Sequence, residues 1–239
     1  MKTKVPLKLA LLVFLLGCTL QTFSNIKKNT NMSDQKKETI GLLVTMKAKP
    51  GKEKDVKDFL LGGLGLVNQE PLTVSWFAFQ IDNNTFGIFD TFEIEEGRQA
   101  HLTGEVAKAL LANASDLLEN FNPSTDIQTI DVLATNHKSG LQNKGFLVIM
   151  RSKDTKTTDV ENFLNVGKQL VSDESKTLSW YAVKIDATTY AIFDTFADDS
   201  GRNAHLSGKV AAALMKNAPF LLEGFEASAI QEIDIIASK

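Results

Sequence analysis

Ser75-Trp76 returns as Ser179-Trp180, and Ile88-Phe89-Asp90-Thr91-Phe92 returns as Ile192-Phe193-Asp194-Thr195-Phe196. Gly97-Arg98 and Ala100-His101-Leu102 return as Gly201-Arg202 and Ala204-His205-Leu206. Every pair is 104 residues apart, and residues 41–121 align with 145–225 without a gap, 42 of the 81 positions being identical. A one-residue deletion then sets Ile230-Gln231 against Ile127-Gln128. This is a tandem duplication of one folding unit. Its period is too long for a solenoid, whose units run to about 20–50 residues. The chain must therefore fold as two similar halves. Its 239 residues allow that, at ~100–200 residues per domain.

The unit has a readable order. Leu42 to Ala48 is a β-rich run, and Lys52 to about Val67 places Val56, Phe59, Leu60 and Gly63 at helical spacing after a Pro50-Gly51 turn. Thr73 to Asp82 and Thr85 to Glu93 read as a hairpin around a two-residue Asn83-Asn84 turn. Glu95 to Ala114 reads as one long helix, and Ile127 to Ala134 as a closing strand. The order β-α-β-β-α-β is the ferredoxin-like arrangement, an α+β fold. It divides the chain into a first repeat over 40–135, a linker over 136–144 and a second repeat over 145–239. Helices cover one face of such a sheet, and the other face must be buried against something. A second copy on the same chain supplies the cover. The expected architecture is sheet facing sheet, a dimeric α+β barrel closed within one monomer.

A two-residue turn puts Trp76, Ala78, Gln80, Gly87, Phe89 and Thr91 on one hairpin face. Phe77, Phe79, Ile81, Phe86, Ile88 and Asp90 then form the other, an apolar face suited to a barrel interior. Small residues beside Trp76 leave room for a ligand pocket or for close helix packing. His101 and His205 flank the apolar face of the long helix, where a histidine serves either structure or proton transfer. Arg98 and Arg202 open that helix, where positive charge opposes the macrodipole. A carboxylate or ligand partner is expected for them, and Asp90 and Asp194 are candidates. On this register those aspartates point into the barrel and need partners. No His-x-x-x-His, Glu-x-x-His or cysteine cluster occurs, so no metal site is expected. Gly62-Gly63-Leu64-Gly65 follows a helix and lacks the Lys-Ser/Thr of a phosphate loop.

The first residues do not belong to this pattern. Lys2, Lys4 and Lys8 precede an unbroken apolar run from Leu9 to Leu16. At about 8 residues it suits a signal peptide and is too short for a membrane-spanning helix, which needs about 20. It ends in Leu15-Leu16-Gly17-Cys18, which looks like a bacterial lipobox, and Cys18 is the sole cysteine. A signal peptide over 1–17, lipidation at Cys18 and a flexible polar tether over 18–39 are expected, with the protein at the cell envelope. Translation from Met32 would instead give a cytosolic protein. A net charge of −3 leaves no basic excess for phosphates, which argues against nucleic acid as a partner.

Trp76, the Ile88–Phe92 run, Gly97-Arg98-Gln99-Ala100-His101-Leu102 and the closing Ile130–Ala134 together resemble the antibiotic biosynthesis monooxygenase family, as does the second copy. The resemblance covers roughly 41–134 and 145–237. It implies the dimeric α+β barrel, and oxidation of a small aromatic or quinol-type substrate by O2 with no metal, flavin or other cofactor. Trp76 and Trp180 match the family's sheet tryptophan, and His101 and His205 a helix histidine. The resemblance makes these four the expected catalytic residues, the histidines as proton acceptors in two equivalent pockets. Arg98, Arg202, Asp90 and Asp194 are then expected to bind substrate. The haem-degrading branch adds an Asn, which neither first strand contains. The competing expectations are a non-catalytic envelope lipoprotein that binds an apolar molecule or haem, and a structural or interaction module.

Overall fold

A computed structural model describes residues 37–239. The expected signal peptide, Cys18 and most of the expected tether lie outside the described residues. The first repeat runs β1 (Ile40–Lys47), α1 (Glu53–Val67), β2 (Thr73–Gln80), β3 (Thr85–Phe92), α2 (Glu95–Leu102), α3 (Glu105–Leu117), α4 (Pro123–Asp126) and β4 (Ile127–His137). The second runs β5 (Lys144–Arg151), α5 (Thr157–Ser172), β6 (Thr177–Lys184), β7 (Thr189–Phe196), α6 (Asp199–Leu206), α7 (Lys209–Leu221) and β8 (Ile230–Ser238). The strands close a barrel in the order β1-β3-β2-β8-β5-β7-β6-β4. Each repeat contributes four adjacent strands, and the β2–β8 and β4–β6 pairings join them. The fold is therefore the expected α+β barrel built within one chain. β4 reaches His137, two residues beyond the expected repeat boundary, because its end is paired with Ser179 of β6.

The hairpin register differs from the expectation by one residue, for a local reason. Asp82 Oδ1 accepts hydrogen bonds from the amides of Asn84 and Thr85 at 2.9 and 2.8 Å. Ile81 donates to the Thr85 carbonyl, so three residues, Asp82 to Asn84, form the loop. Asp186 repeats the device on Thr188 and Thr189. An aspartate that ties down two amides outcompetes the two-residue turn. β2 keeps its expected faces, and those of β3 exchange: Trp76 lies opposite Asp90, and Phe77 opposite Phe89. Asp90 and Asp194 thus point away from the barrel interior, toward the helices. Gly87 and Thr91 move inside, away from Trp76.

Inside the barrel, Phe77 and Phe79 meet Tyr181 and Phe193, and Phe89 stacks on Phe193 at 4.4 Å with planes 2° apart. Such pairs add about 0.5–1.5 kcal/mol each beyond area burial. A Cβ at Gly87 would lie 2.2 Å from the Phe79 ring. The second repeat has Ala191 there, opposite the smaller Val183.

Glu38 and Thr39, expected in the tether, belong to the fold. Glu38 is buried and accepts from Ser75 (2.7 Å), Thr91 (2.5 Å) and the Tyr181 hydroxyl (3.3 Å), and pairs with His137 Nε2 at 2.6 Å. Burial opposes its ionisation, but His137, Thr91 and Ser75 together hold its carboxyl below the usual range. The equivalent residue of the second repeat is the neutral Gln142, which accepts from Ser179 and Thr195.

The expected long helix is two. α2 ends at Leu102 and α3 starts after Gly104, whose backbone is extended at φ −78°, ψ 178°. A Cβ at Gly104 would lie 2.9 Å from Glu70 Oε1 and 3.0 Å from the Ala100 carbonyl, so a larger residue here would press on the Glu70 carboxylate and the preceding turn. The break sets His101 at the end of one helix and Val106 at the start of the next.

Candidate active site

In each repeat, the register shift and the helix break bring a tryptophan, an aspartate and a histidine together. In the first, Trp76 on β2 and Asp90 on β3 are directly opposed on the helix-facing side of the sheet. The side chain of His101 descends from the last turn of α2 onto them. Its Nε2 lies 3.2 Å from Asp90 Oδ2, and its Nδ1 lies 2.7 Å from Glu70 Oε2. Glu70 Oε2 also accepts from Thr73 at 2.7 Å. The Glu70 carbonyl takes the Lys239 ammonium at 2.6 Å. The second repeat matches: His205 lies 2.6 Å from Glu174 and 3.2 Å from Asp194, with Lys138 bonded to the Glu174 carbonyl. Each repeat's trailing lysine thus clamps the glutamate loop of the other.

This setting decides the protonation of the histidines. Burial pushes against the charged form, but Asp90 and then Glu70 outweigh it and raise His101 to about 10. Asp194 and Glu174 raise His205 to about 10 likewise. This setting favours the imidazolium form of both rings, each nitrogen facing a carboxyl group. With both ring nitrogens engaged by carboxyl groups, the geometry does not favour the expected role of proton acceptor. Asp90 is the opposite case. Burial raises its pKa above the usual carboxylate value, against the pull of His101 and the Leu42 amide. The side chain is 1% exposed, and neither oxygen receives a well-formed hydrogen bond. The buried Trp76 indole N–H likewise has no acceptor.

An apolar cavity of about 30 Å³ lies against these groups, with Trp76, Asp90 and His101 among its walls. Leu42 and Val44 of β1, Gly63 of α1 and Val106 of α3 complete it. A water needs about 10–15 Å³ by the same measure, so the space suits a diatomic gas or a water and is too small for an aromatic ring as it stands. It is also far too small for haem.

The arginines are placed differently from the expectation. Arg98 pairs with Glu95 on its own helix turn at 2.5 Å. Arg202 binds Glu232, the Ile233 carbonyl (3.0 Å) and Asp234 (3.5 Å). Neither contacts Asp90 or Asp194, whose partners are the histidines, and Arg98 does not line the cavity. Of the expected partners, a carboxylate or a ligand, the structure places carboxylates beside both arginines, from Glu95 and from Glu232 and Asp234 of β8. Glu70 and Glu174 were missed by motif reading. Their signal was identity across the repeat, shared with Thr73 and Thr177. Among the described residues no group of three or more side chains is placed to hold a metal ion.

No protein-family profile matches the chain, and no curated protein matches it. Solved structures do. A candidate monooxygenase of Fusobacterium nucleatum is 15% identical with a TM-score of 0.72, covering 84% of this chain and 94% of its own. An anthrone oxidase-like protein is 10% identical with a TM-score of 0.58, covering 86% and 94%. A protein of unknown function from Nitrosomonas europaea is 43% identical over 43% of this chain and 97% of its own, with a TM-score of 0.40. The chain shares its fold with the solved candidate monooxygenase and the anthrone oxidase-like protein.

Proposed function

We propose that this protein is a cofactor-independent oxygenase that oxidises a small aromatic or quinol-type molecule with O2. The observation that carries this reading is the apolar, O2-sized cavity bounded by Trp76 and the buried, poorly hydrogen-bonded Asp90. The anthrone oxidase-like neighbour fits the same chemistry. Asp90 takes a proton from an activated C–H or O–H of the substrate. The carbanion or phenolate gives one electron to O2, and the radical pair recombines as a peroxide anion. Asp90 returns its proton to the peroxide, and loss of water leaves the carbonyl, so that CH2 plus O2 becomes C=O plus H2O. His101, held as imidazolium by Glu70, fixes Asp90 and supplies positive charge as negative charge moves to oxygen. Trp76 forms the apolar wall that keeps water out.

Oxygen uptake with an anthrone and a dihydroquinone, in chelator and without flavin, tests this. Asp90→Asn is expected to lower the rate by about 10²–10⁴-fold, the usual worth of a general base. Absence of uptake by the wild-type protein across the panel would favour the second reading, a non-catalytic module, which the small cavity volume supports.

The envelope location is part of the proposal and rests on the Leu15-Leu16-Gly17-Cys18 motif alone. Wild-type protein is expected in the membrane fraction, and Cys18→Ser in the soluble fraction. Unmodified wild-type protein starting at Met32 would overturn it.

A further inference from the structure

Of the fourteen residues that line the cavity of the first repeat, thirteen recur unchanged at the equivalent positions of the second. The exception is Leu42, whose counterpart is Phe146. From this difference and the geometry around it, we infer that the two sites are not equivalent. The first repeat holds the gas-accessible site, the Phe146 ring occupies its counterpart, and the residue at this β1 position decides access. The inference deepens the oxygenase reading by assigning O2 to one repeat, and rests on that reading only for its consequence in turnover.

Four observations support it. The Phe146 ring is packed edge-on to Phe196 at 5.6 Å and lies 6.3 Å from His205, on the inner side of the helices where the first repeat has Leu42. Arg202 lies over the Phe146 ring at 5.5 Å and is itself buried, fixed by Glu232 and the Ile233 carbonyl. Thr129 stands where the second repeat has Glu232, so Arg98 has no such anchor on its closing strand. Asp194 Oδ1 accepts the Phe146 amide at 3.1 Å, while the equivalent Leu42 amide engages Asp90 more loosely. Finally, α5 presses closer to its tryptophan than α1 does. A Cβ at Gly167 would lie 3.1 Å from the Trp180 ring, against 3.7 Å for Gly63 and Trp76. One repeat thus has a spare volume beside its acid, and the other has a ring.

The two tryptophans are the only ones in the sequence, so fluorotryptophan labelling of the full chain gives two ¹⁹F resonances, assigned with Trp76→Phe and Trp180→Phe. Dissolved O2 under pressure is the probe, and its paramagnetism shortens the relaxation of a nucleus it can approach. The Trp76 resonance is expected to broaden severalfold more than that of Trp180. Leu42→Phe should bring Trp76 down to the Trp180 level, and Phe146→Leu should raise Trp180. Leu42→Met, close to Leu in volume, should keep the wild-type difference and guards against a misfolded Leu42→Phe. Equal broadening of the two wild-type resonances, or a difference that survives both exchanges, would overturn the inference. No turnover is needed, so a protein with unequal resonances and no oxygen uptake would retain this inference and lose the oxygenase reading.

Discussion

At the scale of the residue, the two buried histidines govern how the protein responds to pH. Each is raised from about 6.5 to about 10, so between these values the folded state holds protons that the unfolded chain has released. Their stabilisation is complete below about pH 6.5 and is lost as pH rises toward 10. Glu70 and Glu174 work in the other direction. Burial opposes their ionisation, but the histidine bonds prevail and hold both below the usual 4.5. That contribution is present above about pH 4.5 and is lost on acidification. The melting temperature is therefore expected to be highest near pH 5–6.5 and to fall on both sides. His101→Gln removes one partner of a buried ion pair, which costs about 3–5 kcal/mol, and should flatten the alkaline limb by about half. A melting temperature that is unchanged between pH 6.5 and 10 would show that the imidazolium assignment is wrong.

At the scale of the element, the hairpin loops and the α2–α3 break build the site. Alternation along β2 correctly gave Trp76 to one face and Phe77 to the other, because each strand's own periodicity is local. The face of β3 depended on loop length, and one extra loop residue exchanges every side chain of a strand. That single residue carries Asp90 from the barrel interior to within 3.2 Å of His101. The signal for it was present in the sequence, since Asp82 and Asp186 both precede Thr85 and Thr189 by three residues. The helix break was legible only as Gly104 and Gly208, and a glycine inside an apolar periodicity does not say by itself that a helix stops. What forces the stop is the glutamate loop packed against it, a neighbour distant in sequence.

At the scale of the whole molecule, each repeat is half of a barrel. Phe77, Phe79 and Phe89 of the first are buried only because Tyr181 and Phe193 of the second lie against them. Fully burying a phenylalanine stabilises by about 1.5–3 kcal/mol, so a repeat alone loses several such terms and exposes the unpaired edges of β2 and β4. Produced separately, each repeat is expected to be unfolded or to form a homodimer by sedimentation, and never a stable monomer. The clamp of Lys239 on the Glu70 loop and of Lys138 on the Glu174 loop adds to this dependence, because each candidate site is braced by the other half.

The duplication, the βαββαβ order, the need for a second sheet and the recurrence of Trp76, Asp90 and His101 in both halves could all be read from the sequence. Repetition, periodicity and turn residues are written along the chain. The protonation of the histidines could not be read there, since it follows from carboxylates brought within about 3 Å by the fold. Nor could the partners of Arg98 and Arg202, or the place of Glu38 inside the barrel. The sequence shows Leu42 and Phe146 as one conservative difference among many. Only the tertiary structure puts that difference at the wall of the cavity beside Trp76 and sets the Phe146 ring against Phe196 and His205.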